Sequence, residues 1–416
     1  MDPLEKIKPA DGRPILLWGA RQLGLSIFGS LTRLGLEAEA FVDSSPDARR
    51  GPVMGRRVLA PEEALALNPR PFVIICSSVF QNEIAAACQA GGLAEGRDFM
   101  AATDLQKCSW FVDVAGSCNL KCVSCPRGNL PPERQPRPGF MAPDSYTALL
   151  DKILAEDPFT GVINLYSWGE PLLHPKLPEI IGLTRQKGLS AAVSSNLSFR
   201  LDFEEVIKAG PDYFRVSASG WGENYEQTHA GGDWALFMEN LARLKQWRAA
   251  HRPQMQVEMN FHIYKNRADD YRRMKDYCRE AGFIFRAGHG MLNPLDNVAR
   301  LMDGQELTPE ARLSISLQAF PVEKGLARLA EIKGRPCPFE SIMDVGWDGR
   351  VNHCQAWFDP ETPNLADDFN AATLDEMLAK RLGSSFCQKC RSRLLHLWCG
   401  VYGDEGLTAE SVADHG

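Results

Sequence analysis

Short runs of consecutive apolar residues alternate along most of this chain with longer stretches of helical periodicity. Arg13–Gly19 (RPILLWG) reads as a strand ending in glycine, Leu25–Leu34 as a helix, and Glu37–Asp43 as a second strand ending in an acid. Pro71–Ser78 reads as a third strand, followed by a helix over Asn82–Ala90. From Phe111 the alternation becomes regular. Phe111–Ala115, Gly161–Ser167, Leu189–Asn196, Tyr213–Ser219, Met255–Tyr264 and Phe283–His289 read as strands. Helical patterns over Lys176–Lys187, Asp202–Ala209, Trp234–Ala250 and Asp269–Ala281 separate the later ones. Six strand–helix units joined by right-handed crossovers predict a parallel, partly closed barrel with a lateral opening. The expected fold class is therefore α/β. A partial (β/α)6 TIM-type barrel spans 107–305, after a small Rossmann-like domain at 1–106 and before a small α+β domain at 306–416.

The first barrel strand ends in Gly116-Ser117, and three cysteines follow at once: Cys118, Cys122 and Cys125, spaced C-x3-C-x2-C. The C-terminal end of a parallel strand is where ligands and chemistry collect in such folds. Structural zinc takes four closed ligands, usually as two separated pairs. A [4Fe–4S] cluster held by three thiolates leaves one iron open for a small molecule. With this loop the sequence resembles the radical S-adenosylmethionine enzymes, whose hallmark is C-x3-C-x2-C after the first barrel strand. Ser124 stands where that family often has an aromatic residue. At the next strand end, Ser167-Trp168-Gly169-Glu170-Pro171 resembles the family's G-G-E-P motif, with Trp168 in place of the first glycine. The resemblance implies that Glu170 receives the ammonium of the methionine moiety and that Gly169 lets backbone come close. By the same resemblance, Ser194 and Asn196 help hold the ribose or the methionine carboxylate. Ser217 and Ser219 would assist at the following strand end, and His289 would contact the adenosine. Hydroxyls at strand ends are also ordinary caps, and both readings stay open for them. Glu258, Asn260 and His262 alternate along one strand and so share a face, as lumen contacts or as a buried polar network.

In the first hundred residues, strand, glycine turn, helix, strand and acid follow a Rossmann-like order. The turn reads Gly19-Ala20-Arg21-Gln22-Leu23-Gly24, not the full G-x-G-x-x-G. The segment FVDSSPDARRGPVMGRRVLAPEEAL resembles small modules of sugar-modifying and nucleotide-sugar-handling proteins. The resemblance implies a nucleotide or nucleotide-sugar at Gly19–Gly24 and Asp43. A docking domain with an empty pocket is the alternative.

A second cysteine group closes the chain. Cys337 and Cys354 flank a hairpin whose turn is Trp347-Asp348-Gly349-Arg350, and Cys387 and Cys390 form a C-x2-C pair. Spacing alone would make this a zinc site. The pattern C-x11-G-x4-C followed by C-x2-C resembles the SPASM/twitch extension of the same family. That implies an auxiliary [4Fe–4S] cluster on Cys337, Cys354, Cys387 and Cys390, which makes 306–416 an iron–sulfur domain. His396 stands where a full SPASM domain continues its cysteines. Cys399 remains open as a ligand, a hydrogen-atom donor or an inert thiol. Cys76, Cys88, Cys108 and Cys278 lie in or beside apolar elements and read as buried thiols.

Composition narrows the rest. The chain has 416 residues, 44% of them hydrophobic, and a net charge of −7, which argues against non-specific nucleic-acid binding. No apolar run approaches a membrane span, and the N-terminus lacks a secretory h-region. The 12 cysteines then read as metal ligands or free thiols of a reducing, cytoplasmic compartment. Taken together, the resemblance implies reductive cleavage of S-adenosylmethionine to a 5′-deoxyadenosyl radical and abstraction of a C–H hydrogen. Two [4Fe–4S] clusters and an electron donor such as flavodoxin or ferredoxin are implied with it. The substrate expected is a carbohydrate or nucleotide-linked small molecule, oxidised or epimerised. A ribosomal peptide as substrate, and a non-catalytic iron–sulfur or zinc adaptor, are the alternatives.

Overall fold

The computed structural model describes residues 5, 7, 11–46, 48–77, 80–135, 137–358 and 362–402. Asp47 of the segment after the second strand, Ser78 of the third expected strand, Pro136 and residues 403–416 of the C-terminal region lie outside them.

Two sheets, parallel but for one edge strand, form the framework. The first contains β1 (Ile15–Trp18), β2 (Ala38–Val42), β3 (Val58–Leu59), β4 (Phe72–Ile75) and β5 (Phe99–Ala101), in the order β3-β2-β1-β4-β5. Its central strands are buried on both faces, which is why they read as unbroken apolar runs. The second sheet begins with β6 (Ser109–Asp113), β7 (Val162–Asn164), β8 (Ser190–Ser195), β9 (Tyr213–Ala218), β10 (Gln256–Ile263) and β11 (Ile284–His289). These are the six barrel strands expected, in sequential order and all parallel.

The sheet does not stop at β6. β12 (Ile342–Gly346) lies parallel beside it, and β13 (Val351–Asn352) pairs antiparallel with β12. The hairpin expected in a separate domain is thus continuous with the barrel sheet. A strand's local pattern fixes its faces but not its neighbour, so this pairing could not be read from the sequence.

Alternation along the strands separates two environments. Val112, Ile163, Val193, Phe214, Val216, Met259 and Phe261 are fully buried under the outer helices. Their alternates point into the barrel. Among these, Ser194, Arg215, Ser217, Asn260 and His262 keep part of their surface accessible. The barrel therefore has an open, polar lumen.

The helix Gln22–Arg33 joins the two sheets. Leu25, Ile27 and Leu31 share one apolar cluster with Leu17 and Ile74 of the first sheet and with Val162, Tyr166, Ala192 and Tyr213 of the barrel. Burying a Leu, Ile or Phe fully contributes about 1.5–3 kcal/mol, so this shared core binds the parts firmly. The small face of the helix sits against the barrel's start. Gly161 N–H donates to Ser26 Oγ at 3.1 Å, and Ser30 bonds the Phe159 carbonyl. A Cβ on Gly161 would lie 1.6 Å from the Ser26 carbonyl oxygen, so only glycine permits this approach.

Candidate active site

The cysteine loop is fixed from both sides. Gly116 N–H bonds the Gly139 carbonyl at 2.8 Å, and Lys121 and Val123 donate to the Ala230 and Thr228 carbonyls at 2.9 and 3.1 Å. Cys125 caps the short turn Pro126–Asn129, where Pro126 sets the first helical φ. Arg127 Nε reaches the Trp168 carbonyl at 2.8 Å, and the same guanidinium bonds the Gly116 carbonyl. This arginine ties the cysteine loop to the loop after β7.

The three thiols are partly buried and close enough to act on one another electrostatically. Burial first, and then the Glu170 carboxylate, pushes the Cys118 thiol up to about 12. Burial also raises Cys122 and Cys125. Such thiols are poor free nucleophiles, and they lose the proton when a metal takes its place.

Glu170 lies beside them and is 2% exposed. Its carboxylate accepts from Asn196 N–H at 2.9 Å and Leu172 N–H at 3.2 Å. Burial nevertheless pushes it up to about 7, against the pull of those bonds and of Ser195. Asn196 donates to Asn119 Oδ1 at 3.0 Å and approaches Cys118 Sγ at 3.9 Å. So Glu170 and Asn196 both lie against the cysteine loop. Gly169 also packs tightly against the cysteine loop's strand. A Cβ there would sit 1.5 Å from the Ala115 carbonyl oxygen, so the glycine lets two strand-end loops touch. Its N–H donates to Asp113 at 3.1 Å.

Trp168 turns away from Glu170. Its indole N–H donates to the Gln355 carbonyl at 2.9 Å, and its ring meets Phe358 edge-on at 5.3 Å. The departure from the glycine pattern thus connects this loop to the segment after Cys354.

Ser194 stands in register with Arg215, and Ser217 with Asn260, all facing the lumen. Ser219 is 1% exposed and its hydroxyl is engaged by Thr228 and by His229 Nδ1 at 2.8 Å. His289 is buried near the Phe320 ring, at 5.9 Å, toward the C-terminal helices. Ser219 thereby meets Thr228, whose carbonyl holds the cysteine loop through Val123.

Residues that the sequence reading passed over also face the lumen. Asp113 is pushed up to about 7 by burial and then by Asp344 on the neighbouring strand. Asp344 is itself raised by burial and accepts from Asn352 at 2.9 Å. Asp113 had a signal: a carboxylate ending an apolar strand just before the cysteines.

The second cysteine group converges too. Cys337, Cys354, Cys387 and Cys390 surround one cavity, together with His353 and His396. Cys387 and Cys390 share a face of the helix Ser385–Ser392. His353 Nε2 lies 3.4 Å from Cys387 Sγ. Cys399 acts on Cys337 and Cys390, and burial raises it to about 12. Among the described residues, no three His, Cys, Asp or Glu side chains close to the spacing of a single metal ion. The sulfur-rich donor set suits iron–sulfur clusters, which take thiolate ligands.

The Rossmann-like turn has its own occupant. Arg21 reaches Glu258 of β10 at 3.4 Å, Gln22 bonds Asn164 and, at 3.1 Å, Tyr166, and Gln256 donates to the Ala20 carbonyl at 3.0 Å. Asp43 accepts from Ala20 N–H at 3.1 Å and Ser45 N–H at 2.9 Å. The turn expected to hold a nucleotide is docked on the barrel.

Residues 112–247 match the Radical SAM superfamily. The chain is 23% identical over 269 residues to the tungsten-containing aldehyde ferredoxin oxidoreductase cofactor-modifying protein of Pyrococcus furiosus, covering 59% of this chain and 70% of that one. It is 31% identical over 105 residues to the Fe-coproporphyrin III synthase of Methanosarcina barkeri, a match that spans 25% of each. Among solved structures it is similar to anSMEcpe with bound AdoMet, at 15% identity and a TM-score of 0.45, covering 74% of this chain and 96% of that one. It is also similar to Streptococcus suis SuiB bound to S-adenosylmethionine, at 12% identity and a TM-score of 0.46, covering 80% and 76%. No described helix is long and apolar enough to cross a membrane.

Proposed function

We propose, from the premise that this chain carries a radical SAM domain, that it binds S-adenosylmethionine between the cysteine loop and Glu170 and oxidises a small molecule held in the barrel lumen. The observation that carries this reading is the meeting of three partly buried thiols with a buried carboxylate at one end of an open lumen. Cys118, Cys122 and Cys125 would hold a [4Fe–4S] cluster with one open iron. Reduced in the presence of S-adenosylmethionine, that cluster supplies a 5′-deoxyadenosyl radical able to abstract hydrogen from an unactivated C–H bond.

The chain's own groups would do the rest. Glu170 receives the ammonium of the methionine moiety, and Asn196 holds both Glu170 and the cysteine loop in place. Arg127 keeps the two loops in register. The N-terminal segment acts as the floor of the barrel and shuts bulk water out from below, which protects a reactive intermediate. Cys337, Cys354, Cys387 and Cys390 would hold an auxiliary cluster able to accept an electron from the substrate. Oxidation is favoured over epimerisation because Cys399 sits with Cys337 and Cys390.

The carboxylate's position yields a test. A neutral carboxyl cannot balance an ammonium, and Glu170 is held near 7, above the ordinary carboxylate range. S-Adenosylmethionine affinity should therefore rise about tenfold between pH 6 and pH 8, as the group loses its proton. Glu170→Gln should bind more weakly and flatten that pH profile with its iron retained. An unchanged affinity and slope in the variant would remove Glu170 from the site.

A further inference from the structure

We propose that the lumen binds an oxyanion of the substrate, a carboxylate or phosphate, on Arg215, and that Arg21 of the N-terminal turn keeps Arg215 available for it. This deepens the functional reading above and rests on it for the identity of the lumen as the substrate site.

Arg215 lies on β9 between Phe214 and Val216. Both neighbours are fully buried on the outer face, so Arg215 points into the lumen. Its Nε is buried and has no hydrogen-bond partner. Its guanidinium lies near the Tyr166 hydroxyl, Glu258 and Tyr213. A buried N–H of a permanent cation without an acceptor is costly unless a ligand completes it. The planar guanidinium fork suits carboxylate and phosphate oxygens.

Its one carboxylate neighbour in register, Glu258, is shared. Arg21 enters from the N-terminal turn and pairs with Glu258 at 3.4 Å, and Glu258 is only 3% exposed. That pairing draws the negative charge toward the floor and leaves a net positive wall above it. Ser194, in register with Arg215, and Asn260, one layer higher, offer further polar groups. Arg286 stands in register with Asn260 on the next strand. Asp113 and Asp344 lie on β6 and β12, away from this wall in the strand order. An anionic group would settle on the β9–β10 wall, away from Glu170.

The test uses the reconstituted full chain, with pyrophosphate and malonate as probes titrated by calorimetry in the presence of S-adenosylmethionine. Wild type should bind one of them, pyrophosphate if the substrate is phosphorylated and malonate if it carries carboxylates. Arg215→Gln should weaken that binding at least tenfold, and Arg215→Lys less, because it keeps the charge without the fork. Arg21→Gln should weaken it about threefold by releasing Glu258 toward Arg215. Arg272→Gln, on an outer helix, should bind as wild type does. If Arg215→Gln does not fold, the Arg215→Lys and Arg21→Gln values decide. Absence of binding by both probes, equal binding in these variants, or a loss confined to S-adenosylmethionine affinity would overturn the assignment. Deoxyadenosine formation is read separately, so this proposal and the radical reading can fail independently.

Discussion

Cys118→Ala, Cys122→Ala and Cys125→Ala should each lose deoxyadenosine formation entirely, with about four irons fewer per chain. Each thiol comes from one short loop, and the loop's other bonds fix its backbone rather than a fourth sulfur. Of the polar neighbours, Asn196 approaches Cys118 through its amide, and Glu170 is held by two backbone N–H groups. A cluster with two protein thiolates has lost the geometry that leaves one iron open in a defined direction. Iron analysis and chromatography of the reaction mixture check this. The auxiliary cluster proposed for the second cysteine group should remain in all three variants, since those cysteines come from other segments. Wild-type turnover in any one of them would detach the chemistry from this loop.

The second large effect concerns the floor of the barrel. Gly161→Ala places a Cβ 1.6 Å from the Ser26 carbonyl oxygen and 2.5 Å from its carbon. Both are backbone atoms of a packed helix, so no side chain can rotate aside. Forcing atoms into a packed interface costs about 1–3 kcal/mol. The helix Gln22–Arg33 must move away from the barrel, and the Ser26, Ser30 and Arg33 bonds to residues 158–161 go with it. A thermal midpoint lower by about 1–3 °C is expected. Gly182→Ala is the contrast, because nothing lies within 4 Å of a Cβ there and the residue is inside the helix Leu177–Gln186. Alanine should be neutral or stabilising by about 0.5–1 kcal/mol at that position. Equal midpoints for the two variants would mean that the N-terminal segment does not pack as described.

These two sites differ in how far the sequence disclosed them. Three cysteines after an apolar run are visible as letters, because their chemistry depends on spacing within one loop. Glu170 was likewise singled out by its motif, and the six barrel strands were legible from their apolar runs and alternating faces. The docking of the N-terminal turn was not legible. Arg21 and Glu258 are far apart in the chain, and a glycine turn before a helix looks the same whether its partner is a phosphate or a barrel. Trp168 read as a defect in a motif until its contact with Gln355 and Phe358 gave it a task. β12 had the pattern of a half-buried strand, but nothing local names β6 as its neighbour. Arg215 looked like one charge within a strand. Only the lumen around it, and the pairing of Glu258 with Arg21, made it a candidate anchor.

The central claim is that this chain cleaves S-adenosylmethionine reductively. The direct measurement is mass-spectrometric detection of 5′-deoxyadenosine after anaerobic reconstitution with iron and sulfide, reduction with dithionite and addition of S-adenosylmethionine. The account predicts 5′-deoxyadenosine and methionine in equal amounts, dependent on reductant and abolished in Cys122→Ala. Protein that holds its full complement of iron and binds S-adenosylmethionine, yet forms no 5′-deoxyadenosine under these conditions, would contradict it.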